Sequence, residues 1–244
     1  MNQHVALITG GAKGIGRGIA LDLAAQESKI AICYRTSEAA AQQTAQEINQ
    51  RGGQGLAIRC DVADPAAAKA LVSQVEHEWG RIDVLINGAG PYHRINLFDE
   101  TVEGWNEMFD GNLHPIFYLA QAVAPGMKAR KAGRIISFSM ANADQMEAQP
   151  DVTGHYIAKA GVLILTRTLA KLLAPYGITV NAISPGFIDS GSAPPQELAA
   201  MTKRIPAGYI GTVDDTIAAV RYLLSEEARY VNGANIQISG AWGV

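Results

Sequence analysis

The chain has 244 residues, of which 48% are hydrophobic and 18% are charged, and its formal net charge is −3. This length and composition are typical of one large globular domain over residues 1–244 and argue against a disordered chain. The small net charge, with no basic block, argues against nucleic acid and membrane surfaces as partners. No apolar run approaches the ~18 residues of a membrane span, and the two cysteines have no metal-ligand spacing. We therefore expect a cytoplasmic protein without a metal site.

Hydrophobic segments along the chain predict alternating strands and helices. The predicted strands are residues 5–8, 29–33, 56–60, 83–86, 134–138, 178–183 and 236–238. The predicted helices are residues 17–25, 37–50, a segment opening at Asp64 and Pro65, 103–130, 155–174 and 212–224. Because it contains Pro115 and Pro125, the segment 103–130 is either one long helix or a broken pair. The alternation predicts an α/β fold: a doubly wound, mostly parallel sheet of about seven strands with helices on both faces.

The segment from residue 190 to 206 interrupts this alternation. It carries Gly191, Pro194 and Pro195, which break regular structure. We expect this segment to form a mobile loop or a short helix over the functional site.

A glycine-rich turn separates the first predicted strand from the first helix. Its glycines have the spacing G-x3-G-x-G. Glycines let the backbone turn tightly and approach a pyrophosphate closely, and the following helix presents free N–H groups to that anion. The predicted phosphate-binding residues of this turn are Gly10, Ala12, Lys13, Gly14, Ile15 and Gly16.

The residues after the second strand bear on the choice of dinucleotide. An NAD site usually has an acid there, which binds the ribose 2′-hydroxyl. This chain instead has Arg35, Thr36 and Ser37, and Lys13 adds a second positive charge nearby. Because cations and hydroxyl donors suit a 2′-phosphate, the pattern predicts NADP(H) as the cofactor.

The other strand ends supply further candidate cofactor contacts. Right-handed crossovers bring the carboxyl ends of all parallel strands to one edge of the sheet, where ligands of such sheets bind. An acid follows the third strand, a turn of small residues follows the fourth, and a proline–glycine segment follows the sixth. The predicted contacts from these ends are Asp61, Val62, Asn87, Ala89, Gly90, Pro185, Gly186, Ile188 and Ser190.

Taken together, these motifs resemble those of the short-chain dehydrogenases/reductases, and most of all those of 3-oxoacyl-[acyl-carrier-protein] reductases. The similarity runs over nearly the whole chain, from the glycine turn to the closing segment 232–240. It implies a Rossmann-like fold, a nicotinamide cofactor and a homotetramer or homodimer built through the long helices and the last strand. It also assigns Lys159 to the nicotinamide ribose and Asn112 to a proton relay through water.

The residue that would donate a proton departs from the family pattern. The family has a tyrosine four residues before the lysine, whereas here His155 lies four residues before Lys159 and Tyr156 lies three before it. At about 100° per residue, both side chains lie near the lysine on a regular helix, but they point about 100° apart. His155 would act there as a neutral hydrogen-bond donor, because the charge of Lys159 lowers its pKa. His155 and Tyr156 both remain candidate acids.

The catalytic serine of the family is also displaced. Strand register places Met140 at that position, and Ser139, one residue earlier, is the nearest hydroxyl. Asn142 is a second group that could donate a hydrogen bond to a substrate oxygen. Tyr92 and His93, just after Gly90, are predicted walls of the pocket.

These residues together predict an NADPH-dependent oxidoreductase that reduces a carbonyl by hydride transfer. The resemblance implies a 3-oxoacyl thioester or a related small ketone as the substrate. The departures at residues 140 and 155 favour an alternative, an NADP-binding sensor or structural protein with weak or no catalysis. A third hypothesis, reduction of pterin-like rings, has no residue that selects it.

Overall fold

The computed structural model describes residues 4–191 and 195–243. Its strands are β1 (Val5–Thr9), β2 (Lys29–Tyr34), β3 (Gln54–Arg59), β4 (Val84–Asn87), β5 (Gly133–Phe138), β6 (Ile178–Pro185), β7 (Ile188–Asp189), β8 (Gly211–Thr212) and β9 (Asn235–Ile238). Its helices are α1 (Gly14–Ala24), α2 (Glu38–Gln50), α3 (Pro65–Trp79), α4 (Val102–Asn112), α5 (His114–Arg130), α6 (Thr153–Leu173), α7 (Pro195–Thr202) and α8 (Val213–Leu224). Two short 3₁₀ turns cover Ala174–Tyr176 and Glu226–Ala228.

The larger sheet contains seven parallel strands in the order β3-β2-β1-β4-β5-β6-β9. Its central strands are mostly apolar because helices cover both faces, and β1 is buried at all five positions. The two-residue strands β7 and β8 form a separate parallel pair. The predicted α/β fold, doubly wound around a parallel sheet of seven strands, is confirmed.

Two apolar layers join the sheet to its helices. On one face, the strands pack against side chains that include Leu71 of α3, Leu119 of α5 and Leu173 of α6. On the other face, they pack against Ile19 of α1 and Val220 of α8, among others. This packing holds the strands in fixed register, so the turns at their carboxyl ends lie at one edge.

The winding of the sheet reverses beside β1, which lies between β2 and β4. Such a switch point opens a crevice at the carboxyl ends of the strands, where ligands of this fold class bind. The glycine turn follows β1, Arg35 follows β2 and Gly88 follows β4, so all three segments border the crevice.

Several helix predictions have definite outcomes. The segment 103–130 is a broken pair, because α4 ends at Asn112 and α5 begins at His114. Pro115 lies in the first turn of α5, where its missing N–H breaks no helical bond. Asp64 caps α3 by accepting a hydrogen bond of 2.8 Å from the N–H of Ala66. Ser37 is at the N-cap position of α2, but its side chain makes no capping bond to the described first turn.

The segment from 190 to 206 includes the short helix α7, flanked by β7 and β8. Residues 192–194 lie outside the described residues, so the prediction for this part of the segment stays a prediction. The sequence did not predict β7 and β8, because two residues are too few to show an alternating pattern.

Both cysteines are free and buried. Burial raises the pKa of the Cys33 thiol to about 12 and that of Cys60 to about 11. No three or more His, Cys, Asp or Glu side chains among the described residues are arranged to hold a metal ion. Within residues 4–191 and 195–243, no helix has both the length and the apolar character needed to cross a membrane.

Candidate functional site

The turn between β1 and α1 forms a cradle of bare backbone. Gly10 and Gly14 have φ of +69° and +55°, a conformation that favours glycine. A Cβ on Gly16 would collide with the carbonyl oxygen of Gly10, so this position accepts only glycine without a backbone shift. Because α1 begins at Gly14, its free N–H groups face the cradle, an arrangement suited to a phosphate.

A cleft of about 610 Å³ leads away from this turn. It brings together eight predicted cofactor residues from four strand ends: Gly10, Arg35, Thr36, Ser37, Asp61, Val62, Ala89 and Gly90. The volume lies within the range of about 300–1,000 Å³ that is usual for small-molecule sites. The cleft therefore has the size and the lining expected for the adenosine half of a dinucleotide.

The helix α4 forms a wall of this cleft that the sequence analysis missed. Its contribution comes from Glu103, Asn106, Glu107, Asp110 and Gly111. These positions are separated by three or four residues and so share one helix face. This spacing of polar residues was a visible signal, but nothing in the sequence indicated which surface the polar face of α4 would meet.

Arg35 has a partner across the cleft. Its guanidinium lies 3.6 Å from one carboxylate oxygen of Glu107, whose other oxygen lies 3.3 Å from Nε2 of His93. The side chain of Arg35 remains 59% exposed, so the ion pair is screened by water and weak. A phosphate in the cleft would compete with Glu107 for Arg35.

A second cavity, of about 630 Å³, lies on the other side of the glycine turn. It joins Lys13 and Gly14 with Arg17 of α1 and with Ser190 and Gly191, which follow β7. The structure thus brings Ser190 to the glycine turn. Arg17 is paired with Glu47 of α2 at 2.5 Å.

The remaining predicted cofactor residues do not line either cavity. Ala12 accepts a hydrogen bond from Thr44 through its carbonyl oxygen, and Ile15 packs in the apolar layer beside α1. The amide of Asn87 donates to the hydroxyl of Ser137 at 3.1 Å. Gly186 lies where a Cβ would approach Ser239, Pro185 ends β6, and Ile188 pairs with Gly211. These residues shape the backbone around the cleft.

Lys159 and Asn112 converge at the far end of the cleft. The ammonium of Lys159 donates to the carbonyl oxygen of Phe138 at 2.9 Å, and burial lowers its pKa to about 8. A Cβ on Gly90 would lie 3.6 Å from this ammonium and in collision with Oδ1 of Asn112. The amide nitrogen of Asn112 donates to the carbonyl oxygens of Pro91 and Met108, whereas its Oδ1 is buried without a partner among the described residues. Glycine at 90 therefore leaves room for both side chains beside the backbone.

His155 lies one turn before Lys159 on α6 and is 8% exposed. Burial, and after it the charge of Lys159, lower its pKa to about 4, although a hydrogen bond with the Pro91 backbone opposes this shift. The imidazole is therefore neutral at neutral pH. The ring of Tyr92 meets it edge-on, with the ring centroids 5.1 Å apart and the planes at 87°. Nδ1 of His155 is buried and has no partner among the described residues.

Tyr156 points into a different environment. Its hydroxyl donates to the carbonyl oxygen of Asn142 at 2.7 Å and accepts from the N–H of Glu147 at 3.1 Å. With only 5% of its side chain exposed, Tyr156 joins α6 to the segment that follows β5. The single proton of its hydroxyl is already used in a hydrogen bond to the backbone.

The two residues that could replace the catalytic serine, Ser139 and Asn142, also make hydrogen bonds within the protein. The hydroxyl of Ser139 donates to the carbonyl oxygen of Lys159 at 2.7 Å, so it can only accept a hydrogen bond from a substrate. Asn142 has a φ of +61°, and its amide nitrogen lies 3.5 Å from a carboxylate oxygen of Glu147. Met140 packs beside Ala143 and Leu163.

A family model described as Enoyl-(Acyl carrier protein) reductase matches residues 10–242. The 3-oxoacyl-[acyl-carrier-protein] reductase FabG of Staphylococcus aureus (strain Mu50) is 36% identical over 238 residues, which cover 96% of both chains. The protein belongs to the short-chain dehydrogenase/reductase family. FabG of Escherichia coli (strain K12) is 33% identical over 244 residues, covering 97% of this chain and 96% of that one.

Solved short-chain dehydrogenases/reductases have the same fold. A short-chain type dehydrogenase/reductase from Mycobacterium marinum superposes with a TM-score of 0.90 at 32% identity, over 98% of this chain and 94% of that one. Acetoin dehydrogenase YohF from Salmonella typhimurium superposes with a TM-score of 0.88 at 29% identity, over 98% and 97% of the two chains.

A short-chain dehydrogenase/reductase uses a nicotinamide cofactor, and the residues here fit one. The bare backbone at Gly16 and the start of α1 suit its pyrophosphate. At the opposite end of the cleft, Lys159 and the Oδ1 of Asn112, which has no partner among the described residues, are polar groups that suit the nicotinamide half. The cofactor would therefore extend along the switch-point crevice from the glycine turn to Lys159.

Proposed function

We propose that this protein is an NADPH-dependent reductase that converts the carbonyl of a 3-oxoacyl thioester, or of a related small ketone, to an alcohol. The observation that carries the proposal is the convergence of Lys159 and Asn112 beside Gly90, at the end of the cleft that begins at the glycine turn. A protein that only bound the dinucleotide would have less need of a buried lysine with a lowered pKa at this end. The 3-oxoacyl-[acyl-carrier-protein] reductase relatives support the substrate class.

The binding role falls to the strand ends. The backbone of the glycine turn and the N-terminus of α1 bind the pyrophosphate, and Arg35, Thr36 and Ser37 bind the 2′-phosphate. Lys13 adds positive charge beside the turn. When bound, the nicotinamide supplies the hydride that reduces the carbonyl carbon.

The residues around Lys159 prepare the carbonyl. With a pKa of about 8, Lys159 is mostly an ammonium at neutral pH, and it holds the nicotinamide ribose while its charge favours the negative charge that develops on the substrate oxygen. Asn112 links this group to water through Oδ1, which has no partner among the described residues. His155 presents a neutral imidazole to the same region, but a neutral imidazole has one N–H, and the carbonyl oxygen of Pro91 already accepts a hydrogen bond from the ring.

Oxidation of NADPH in the presence of candidate substrates tests this function. A panel of 3-oxoacyl thioesters and small ketones is assayed with the wild type, with Lys159→Met and with Lys171→Met, an exposed lysine on the same helix. We expect saturable oxidation by the wild type and by Lys171→Met, and a loss of about 100-fold or more in kcat/KM for Lys159→Met. No oxidation by the wild type with any compound would contradict the proposal.

One observation favours a second function, an NADP-binding sensor without turnover. Met140 occupies the family's serine position, and the hydroxyl protons of Ser139 and Tyr156 are both used in hydrogen bonds to the backbone. In that case NADPH binds tightly but is oxidised with no compound of the panel. Binding followed by NADPH fluorescence, beside the oxidation assay, separates the two functions.

We also propose that the protein assembles as a homotetramer or homodimer in a reducing cytoplasm. A largely apolar groove of about 400 Å³ between α5 and α6 is lined by Phe117, which is 48% exposed, and Leu172, which is 62% exposed. The free, buried Cys33 and Cys60 suit a reducing compartment. Light scattering of the wild type and of Leu172→Glu tests the assembly, and a wild-type monomer would contradict it.

A further inference from the structure

Tyr92 lies in the turn after β4, whose residues contact the groups around Lys159. Two residues before it, Gly90 lies beside the ammonium of Lys159 and against Oδ1 of Asn112. The carbonyl oxygen of the intervening Pro91 accepts a hydrogen bond of 3.0 Å from Asn112. The ring of Tyr92 then packs edge-on against His155. Its place at the end of the cleft is therefore defined by three groups of the proposed site.

The hydroxyl of Tyr92 is free to react. The Tyr92 side chain is 57% exposed, and its hydroxyl has no hydrogen-bond partner among the described residues. By contrast, the hydroxyl of Ser139 donates to the Lys159 carbonyl oxygen, and that of Tyr156 donates to the Asn142 carbonyl oxygen. Of these three hydroxyl groups, only that of Tyr92 retains a proton that it can give to a substrate.

His155 is poorly suited to be the proton donor itself. Its imidazole is neutral at neutral pH, and a neutral imidazole gives up a proton far less readily than an imidazolium does. Its Nδ1 is also shielded from solvent. The edge-on contact with Tyr92 instead suits a positioning residue, since it restricts the rotation of the tyrosine ring about its side-chain bonds.

We propose that Tyr92 is the acid of this site and that His155 positions it. The tyrosine that the family carries on the helix is thus replaced by one that reaches the same carbonyl from the turn after β4. This inference rests on the proposed reductase function. Tyr92 would be a catalytic residue in the strict sense, because its hydroxyl contacts the substrate oxygen.

The step balances with the groups already named. The carbonyl carbon accepts the hydride supplied by NADPH, and the carbonyl oxygen takes the proton of the Tyr92 hydroxyl, so the Tyr92 O–H bond breaks and the O–H bond of the alcohol forms. NADPH is oxidised and the ketone is reduced. The tyrosinate that remains is solvated, since Tyr92 is 57% exposed. Because Tyr92 is exposed, water returns the proton after the product leaves.

Steady-state kinetics of Tyr92→Phe with an active substrate from the panel tests the assignment, with Tyr230→Phe, at a 97% exposed tyrosine, as the matched control. We expect Tyr92→Phe to lose about 100-fold or more in kcat, in line with the loss of a general acid. Its KM, its NADPH dissociation constant and its melting temperature should change little, because the hydroxyl makes no bond to the described residues that the substitution would remove. Tyr230→Phe should behave as the wild type.

The double variant Tyr92→Phe/His155→Tyr provides a rescue experiment. It returns a tyrosine to the helix position four residues before Lys159, so we expect its kcat to be at least about tenfold higher than that of Tyr92→Phe. A double variant no more active than Tyr92→Phe would overturn the idea that both tyrosines serve the same carbonyl.

Two further outcomes would overturn the assignment. One is a Tyr92→Phe enzyme that keeps its kcat within about threefold of wild type, and the other is a loss confined to KM, which would make Tyr92 a wall of the substrate pocket. The failure of the proposed function is distinguishable from both, since the wild type itself would then oxidise NADPH with no compound and both proposals would fall.

Discussion

The hydroxyl of Tyr156 donates a hydrogen bond to the carbonyl oxygen of Asn142 at 2.7 Å. It also accepts one from the N–H of Glu147 at 3.1 Å, so a single side chain fixes both ends of the segment 142–147. Asn142 and Met146 in this segment have φ of +61° and +57°, which non-glycine residues rarely adopt. The tyrosine that the sequence places beside the acid position thus holds a strained loop.

This arrangement predicts a stability defect for Tyr156→Phe. The substitution removes both hydrogen bonds of the hydroxyl, while the Asn142 carbonyl oxygen keeps the N–H of Gln145 as a partner. At about 0.5–1.5 kcal/mol for each bond lost, the free energy of unfolding should fall by about 1–3 kcal/mol. Urea denaturation measures the difference. The control Tyr230→Phe, at an exposed position, should stay within about 0.5 kcal/mol of the wild type. Equal stability of the two variants would contradict the role of Tyr156.

His155 predicts a specific loss of stability in acid. Its pKa is about 4 in the folded protein, against 6.5 for the ordinary side chain, so the unfolded chain binds more protons between these values. The free energy of unfolding therefore falls as the pH drops from 6.5 to 4, by up to about 3 kcal/mol from this group. Above pH 6.5 the imidazole is neutral in both states and makes no such contribution.

Urea unfolding at several pH values between 4 and 7 measures this effect. The curve for His155→Phe should be flatter than that for the wild type by the amount that His155 contributes. His77→Gln, at an exposed position of α3, is the control and should keep the wild-type slope. If the free energy of unfolding changed with pH equally in the wild type and in His155→Phe, the imidazole would not be held neutral by burial.

Gly16→Ala should abolish tight binding of the dinucleotide. The added methyl group would collide with the carbonyl oxygen of Gly10, so the turn must shift and the cradle for the pyrophosphate is lost. We expect NADPH affinity to fall about tenfold or more, as measured by fluorescence titration. Gly52→Ala is the control: its Cβ meets nothing within 4 Å, although its φ of +94° makes the substitution destabilising. An equal loss of NADPH affinity in Gly52→Ala would mean that the effect of Gly16→Ala comes from lower stability and not from the pyrophosphate cradle.

The pair of Arg35 and Glu107 predicts opposite effects of two substitutions on NADPH. Arg35→Ala removes the cation of the proposed 2′-phosphate site and should weaken NADPH binding about tenfold. Glu107→Gln removes the carboxylate that competes for Arg35. It should strengthen NADPH binding a few-fold, since exposed ion pairs contribute about 0–1 kcal/mol. NADH, which lacks the phosphate, is the reference ligand. Equal changes for NADH and NADPH would contradict a 2′-phosphate site at Arg35.

The helix α4 separates what is local in the sequence from what depends on packing. The prolines in the sequence left one long helix or a broken pair as alternatives for 103–130, and the structure has the break next to Pro115, because proline acts locally on the helix that contains it. It did not predict that Glu107 would face Arg35, since these two residues meet only when α4 lies across the ends of β1 and β2. A polar helix face can be recognised from its spacing, but the surface that it meets depends on how the elements pack.

The hydrophobic pattern and the glycines were enough to predict the alternating elements, the parallel sheet and the turn at Gly10, because the spacing of apolar residues and the freedom of a glycine backbone are local properties. Which hydroxyl groups are free depends instead on how the elements pack. The partners of Ser139 and Tyr156 are backbone oxygens on other elements, and Tyr92 meets His155 only because the turn after β4 passes the start of α6. Hydrogen bonds between residues distant in the chain form after the elements have packed, so no spacing in the sequence reveals them.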